Sequence, residues 1–493
     1  MNPFPAERLR ELNQAPIRSE GDFVLYWMIA FRRAHSNFSL QRAVDWACEL
    51  KKPLLILEAL SCDYPWASER LHCFILEGMK NNWSDFKNSP VSYLPFLEDS
   101  KGRGKGLVRE LGARSCLVVT DDYPCFFLPR MIGSVGENLT VRMEAVDSNG
   151  LLPVALAKRP FLAARSFRRY LQQQLPQFLD RFPKPDPLSG VSLPVLPGLP
   201  REIANKWPPA DMSAAGTDLL LGLPLDHSVT PVKTRGGHKA AKNRLAEFIH
   251  SSLNRYHLDR NHPDADATSG LSAYLHFGHI SAFEIFSELI KNQKWSPEFI
   301  CPRALGKKEG WWAMSPGAEA FLDQFLTWRE LGFNFCSNRH DYDRFDSLPQ
   351  WALETLAAHE DDDRPHVYSL EEFEAAKTHD PLWNAAQNQL LREGQIHNYL
   401  RMLWGKKIVE WSRSAREALA IMIELNNKYA LDGRDPNSYS GIFWVLGRYD
   451  RPFGPKRPIF GTVRYMSSQN TKRKIKLTAY MRSFGLFPPD TAR

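Results

Sequence analysis

Between Thr378 and Met466 the chain gathers residue types that seldom share one segment. Three tryptophans, Trp383, Trp404 and Trp411, fall on helical patterns beside Arg401, Asn426, Asp432 and Asp435. Indoles suit core packing, and they also suit single-electron transfer and stacking on a flat ring. Trp404 and Trp411 are two helical turns apart, about 10 Å along one face. A heptad core explains two apolar residues on a face, but not the arginine and aspartates beside them. Those groups cost several kcal/mol to bury unless they pair or bind something polar. Arg401 with Asp432 makes a charge-assisted pair able to hold the polar edge of a ring. Together these residues describe a helical bowl for an aromatic, polar-edged, redox-active cofactor.

Two further constellations could hold parts of a ligand. In the stretch 256–281, Thr268, Ser269 and Gly270 stand just ahead of Leu271, and Ser272 opens a helix predicted over 271–292. Hydroxyls, a glycine and free backbone N–H groups at a helix start suit a phosphate, and they equally make a plain N-cap. In FLDQFLTWRELGFNFC, Gln324 and Trp328 are i and i+4 and share a helix face. An indole and an amide on one face can grip a base by stacking and edge hydrogen bonds, and a helix core reads the same way.

The elements that must position these residues differ between the two ends of the chain. Over the first 150 residues, apolar runs at 23–28, 53–60, 91–97, 115–120 and 141–147 read as strands. Helical patterns at 40–50, 70–86, 106–113 and 126–135 separate them. This alternation predicts a doubly wound parallel sheet. The dinucleotide fingerprint G-x-G-x-x-G is absent, and GRGKG at 102–106 reads as a loop. Any second ligand is expected at the strand tips, Thr120-Asp121-Asp122 and Asp147-Ser148-Asn149. Residues 175–236 are Pro-rich and read as an interdomain connection. From 237 onward the pattern is helical, at 239–254, 271–292, 316–336, 349–358, 384–393, 395–411 and 414–428. The expected domains are therefore an α/β domain (1–174), a linker (175–236) and an all-α domain (237–493).

At 493 residues one compact core is not expected. No apolar run approaches the roughly 20 residues that span a bilayer, and the N-terminus lacks the apolar region of a secretory signal. A cytoplasmic location follows as the expectation. The seven cysteines are scattered and never spaced C-x-x-C, which argues against a zinc site or a disulfide framework. The net charge is +7, and Arg448, Arg451, Lys456, Arg457, Arg464, Lys472, Arg473, Lys474 and Lys476 cluster among aromatics. A basic surface with aromatics can hold a phosphate backbone while rings stack on bases, and a solvated tail has the same composition.

The motifs THDPLWNAAQ, LRMLWGKK, LNNKYALDGRDPN and FGTVRYM, close together between Tyr368 and Met466, resemble the photolyase/cryptochrome family. Within it they are most similar to the class II type of cyclobutane pyrimidine dimer photolyase, over nearly the whole chain. The resemblance implies an all-α C-terminal domain binding a U-shaped FAD, active as FADH−, and a monomer that acts on damaged duplex DNA without a metal. It leaves open a second antenna chromophore of deazaflavin or folate type. By the resemblance, Tyr256 and Thr268 to Ser272 clamp the FAD phosphates, and Arg329 and Asn334 add flavin contacts. Arg401 and Asp432 form the salt bridge at the flavin ring, with Asp435 also at the cofactor and Asn426 near flavin N5. Trp404, Trp383 and Trp411 form the photoreduction chain, with Tyr368 as a side donor. Trp328, Met402 and Trp444 wall the lesion pocket, while Arg451 and Arg464 enter or flank the opened duplex. The activity implied is blue-light-driven repair of cyclobutane pyrimidine dimers by electron transfer from reduced FAD to a flipped-out dimer. One departure stands out: Gln324 replaces the glutamate of the repair enzymes. A glutamine there is similar to (6-4) photolyases and animal cryptochromes, so (6-4) repair or a photoreceptor with little repair are the alternatives. The histidine that (6-4) enzymes need is Asn398 here, with His397 adjacent.

Overall fold

The computed structural model describes residues 4–213, 218–303 and 305–485. Five of the six strands form where the sequence is mostly apolar, because helices cover both sides of the sheet. They are β1 (Leu9–Glu11), β2 (Phe23–Met28), β3 (Leu54–Leu60), β4 (Ser92–Leu97), β5 (Ser115–Asp121) and β6 (Met143–Val146). The order is β1-β6-β5-β2-β3-β4. All neighbours are parallel except β1, which pairs antiparallel with β6, Leu9 opposite Val146. Every residue of β2 and β5 is buried. The five predicted strands are present, and the edge strand β1 is an addition.

The crossover helices start on side-chain caps. Asn37 accepts from the N–H groups of Ser39 and Leu40 at the Phe38–Leu50 helix, and Ser68 caps Glu69–Phe86. The predicted helix over 271–292 is two helices, Ser272–His276 and Ala282–Gln293. Gly278 separates them at φ +69°, its Cα so close to Ala30 O that a Cβ would collide with it. That approach, which no periodicity encodes, is why the helix stops.

Two compact units are defined by their own contacts: Met1–Lys158, Gln174–Ala246 and Gly270–Glu298 in one, Arg159–Gln173, Glu247–Ser269 and Phe299–Arg493 in the other. Within the first unit the Pro-rich stretch carries a short helix, Arg201–Lys206, and Trp207 is buried there with its indole N–H donating to Arg103 O at 2.8 Å. The second unit is helical. Asp380 caps Pro381–Glu393, Ser414 caps Ala415–Tyr429 and Asp435 caps Pro436–Val445, with Asn398–Trp411 among them. The predicted helix over 316–336 is continuous but changes pitch. Residues Pro316–Leu322 are α-helical, Asp323–Trp328 form a π-helical turn, and Arg329–Asn338 return to α. No helix among the described residues is long and apolar enough to cross a membrane.

Candidate functional site

The three tryptophans make a ladder inside the second unit. Trp404 and Trp383 are parallel, with centroids 6.5 Å apart and 5° between planes. Trp411 follows at 6.1 Å from Trp383, edge to face, and Tyr368 stands 5.8 Å beyond Trp411. Hydrogen bonds fix the rings. The Trp404 indole N–H donates to Gln387 Oε1 at 2.9 Å, and the Trp383 N–H donates to Trp404 O at 3.0 Å. All three indoles are buried, whereas Tyr368 is partly exposed, so the ladder runs from core to surface. The Tyr368 hydroxyl accepts from the His379 N–H at 3.0 Å and lies 2.7 Å from His379 Nδ1. Partial desolvation, reinforced by nearby His366, lowers the His379 pKa. His366 is exposed and stacks on His379 at 3.8 Å. Gln387, His379 and His366 were not singled out from the sequence; only their fold neighbours reveal them.

One turn before Trp404 on its helix, Arg401 pairs with Asp432 through two bonds, Nη1 to Oδ2 at 3.2 Å and Nη2 to Oδ1 at 2.9 Å. Both side chains are about one-sixth exposed. The loop carrying Asp432 is held by Asn427, whose Oδ1 accepts from the Arg434 N–H at 2.9 Å where Arg434 adopts φ +64°. Asn426 is buried, its amide donating to Ser438 Oγ at 2.7 Å. Asp435 accepts from Asn437 N–H at 2.8 Å and so also serves as a helix cap.

From Phe321 to Cys336 every residue is buried except Gln324 and Trp328, which are partly exposed. The two therefore share the one open edge of this helix, and both lie in the π-helical turn, a geometry often found at functional sites. Arg329 follows, buried, with its guanidinium 4.5 Å from the Phe333 ring centroid. Asn334, expected by resemblance at the flavin, is engaged with backbone. Its Oδ1 accepts from Phe161 N–H at 2.9 Å and its Nδ2 donates to Arg159 O at 3.0 Å, so the amide clamps that backbone. Met402 and Trp444 are partly exposed, and Arg464 lies over the Trp444 ring at 5.6 Å while bonding Asp450 bidentately at 2.9 and 3.2 Å. Arg451 is exposed. Arg448 is not part of the basic surface: it is buried between Phe335 and Phe443 and donates to Tyr342 O at 2.8 Å. A cleft of about 440 Å3 gathers Arg457, Arg464 and Arg473 around Phe453 and Tyr465.

The helix behind the predicted phosphate clamp is only five residues long, and its cap, Leu271, offers no side-chain acceptor. Thr268, Ser269 and Gly270 are partly exposed and Ser272 is exposed. Gly270 has φ +65°, and a Cβ there would lie 2.7 Å from Arg244 Nε. The cation at that turn comes from Arg244, a residue the sequence reading missed. Tyr256 is buried against Phe248 and Phe321. At the strand tips, Asp121 is fully engaged, accepting from the N–H groups of Ile29, Ala30 and Phe31 and from the Tyr26 hydroxyl.

The mostly parallel sheet and the helical unit with its tryptophan ladder define the photolyase/cryptochrome fold. A bacterial class III photolyase from Agrobacterium tumefaciens shares this fold, with a TM-score of 0.64 at 17% identity over 96% of this chain and 86% of that one. The deoxyribodipyrimidine photo-lyase of Methanothermobacter thermautotrophicus is 32% identical over 477 residues, 97% of each chain. That of Potorous tridactylus is 32% identical over 486 residues, 97% of this chain and 84% of its own. No family model matches the chain. The chain belongs to the deoxyribodipyrimidine photolyase family of enzymes.

Proposed function

We propose that the protein repairs cyclobutane pyrimidine dimers in DNA, driven by blue light, with FAD as its cofactor. The residues fit that group. The buried polar atoms without a hydrogen-bond partner among the described residues include Arg329 Nη1, Arg401 Nε and both ring nitrogens of His397. Buried polar atoms left without partners cost about 1–3 kcal/mol each, so a polar ligand edge suits them. Reduced FAD, when bound, supplies the light-activated electron.

The chain's own residues do the rest. Arg401, fixed by Asp432, offers a positive edge to a negatively charged ring. The ladder Trp404, Trp383, Trp411 provides closely spaced rings from core to surface, and Tyr368 with His379 can release and hold a proton at its outer end. Gln324 can donate one N–H to a base carbonyl, with the Trp328 indole beside it for stacking. The exposed Arg451 offers charge to the phosphate backbone, with the cleft around Arg457 and Arg473 beside Arg464. The observation that carries the proposal is the bidentate Arg401–Asp432 pair one turn from a buried, hydrogen-bonded tryptophan ladder.

The test is direct. The purified, chemically reduced protein is illuminated with blue light in the presence of dimer-containing duplex DNA, and dimer loss is followed. Repair is expected; bound reduced FAD and bound DNA without dimer loss would sink the proposal. That outcome would favour the second reading, a cryptochrome-type photoreceptor, for which Gln324 in place of glutamate is the supporting observation.

A further inference from the structure

In the first unit, three side chains from distant parts of the sequence meet. His35 lies in the loop after β2, Asp85 one residue before the end of the Glu69–Phe86 helix, and His238 at the first residue of the His238–Ser251 helix. One ligating atom from each lies within 4.8 Å of the other two. The two imidazoles are stacked, centroids 4.7 Å apart and 30° between planes, and His35 Nε2 is 3.5 Å from Asp85 Oδ2. Behind this group, His238 Nε2 lies 3.1 and 3.0 Å from the two carboxylate oxygens of Glu284. Glu284 is also approached by Lys242 Nζ, at 3.9 Å.

We propose that His35, Asp85 and His238 bind one divalent transition-metal ion, zinc in preference, with Glu284 orienting His238. Two imidazoles and one carboxylate are a nitrogen-rich donor set that suits zinc and does not suit magnesium or calcium. Metal-bound histidines characteristically donate their second N–H to a carboxylate, which is what Glu284 provides for His238. That bond fixes the proton on Nε2 and leaves a lone pair on Nδ1. Three protein ligands leave the fourth tetrahedral position to water. Zinc bonds of about 2.0–2.1 Å place tetrahedral ligand atoms about 3.4 Å apart, so contraction by up to about 1.4 Å from the 4.8 Å spacing closes the site. His35, about one-third exposed, gives the ion a route in, while His238 is buried. The ion would tie a loop and two helix ends together. Nothing in the photolyase proposal requires it, and its test is independent of light, FAD and DNA.

The full-length protein, stripped with a chelator, is titrated with zinc chloride by calorimetry and with Co2+ by visible absorption. One equivalent of zinc per chain is expected, together with the d–d bands of tetrahedral Co2+ and no thiolate charge-transfer band. Absence of that band excludes the cysteines as ligands. His35→Gln should abolish this equivalent, and Glu284→Gln should weaken it by about 10–100-fold. His250→Gln, on an exposed position of the same helix as His238, should change nothing. Circular dichroism checks each fold; His35 lies on a loop, so its variant carries the test if a His238 variant misfolds. No zinc bound, an equivalent that survives His35→Gln, or a thiolate band each overturns the proposal.

Discussion

Lys406 offers a test of the helical unit that can be worked through quantitatively. It lies on the Asn398–Trp411 helix with no exposed surface, its Nζ donating to Val445 O at 2.6 Å and standing 5.3 Å from the Trp444 ring centroid. Burial lowers its pKa to about 7; Asp450 opposes the shift and Arg464 adds to it. In an unfolded chain the same amine titrates near 10.4. Between those values the unfolded chain holds the proton and the folded chain releases it, so stability rises with pH and is lost as pH falls towards 7. At 1.36 kcal/mol per unit, this site disfavours folding by about 4 kcal/mol at pH 7 and about 2 kcal/mol at pH 9. Lys406→Met has similar length and no proton to lose. It leaves the Val445 carbonyl without its donor, at about 1–3 kcal/mol, but equally at both pH values. The stability of Lys406→Met relative to the parent should therefore be about 2 kcal/mol more favourable at pH 7 than at pH 9. Urea unfolding of both proteins at both pH values, followed by tryptophan fluorescence, measures it. An offset between the two proteins that is the same at pH 7 and pH 9 refutes the reasoning.

Three further outcomes are expected. Trp404→Phe should abolish photoreduction of bound FAD yet leave repair by chemically reduced protein intact; retained photoreduction would show that the ladder is not the route. Gln324→Glu, whose protonated carboxyl can donate its O–H to the base carbonyl, should raise the repair rate about tenfold, the equivalent of about 1.4 kcal/mol, in a single-turnover assay, and an unchanged rate argues against contact with the dimer. Arg451→Ala should weaken binding to damaged and undamaged duplexes alike and reduce the slope of log K against log salt by about 0.9, whereas an unchanged slope removes Arg451 from the phosphate contacts.

What was legible in the sequence follows the physics of each element. The five strands β2 to β6 were readable because most of their residues are buried, which forces largely apolar runs. Strand β1 was not, because Leu9-Arg10-Glu11 carries no such run and owes its conformation to pairing with β6. The pairing of Arg401 with Asp432 was readable from the cost of burying either one alone, and the geometry is bidentate. Gln387 and His379 were not, because their bonds to Trp404 and Tyr368 join residues on different turns and helices. Arg448 was misread for a related reason. A basic residue among basic residues reads as surface, yet two phenylalanines and a backbone carbonyl give this guanidinium an interior partner set. The backbone partners of Asn334, Phe161 N–H and Arg159 O, lie 173 and 175 residues away in sequence and were not readable either.

The widened turn at Asp323–Trp328 has a consequence for how the chain tolerates change. A π turn accommodates one more residue than an α turn over the same rise, so it absorbs an extra residue while the helix before it and the helix after it stay in phase. Deleting a single residue within 323–328 would let the segment relax to ordinary pitch with the apolar stripes of both halves still facing the core. The same deletion within Arg329–Asn338 has no such reserve and would turn the residues beyond it by about 100°. Residues 323–328 are where this helix can lose a position, and the cost falls on the placement of Gln324 and Trp328.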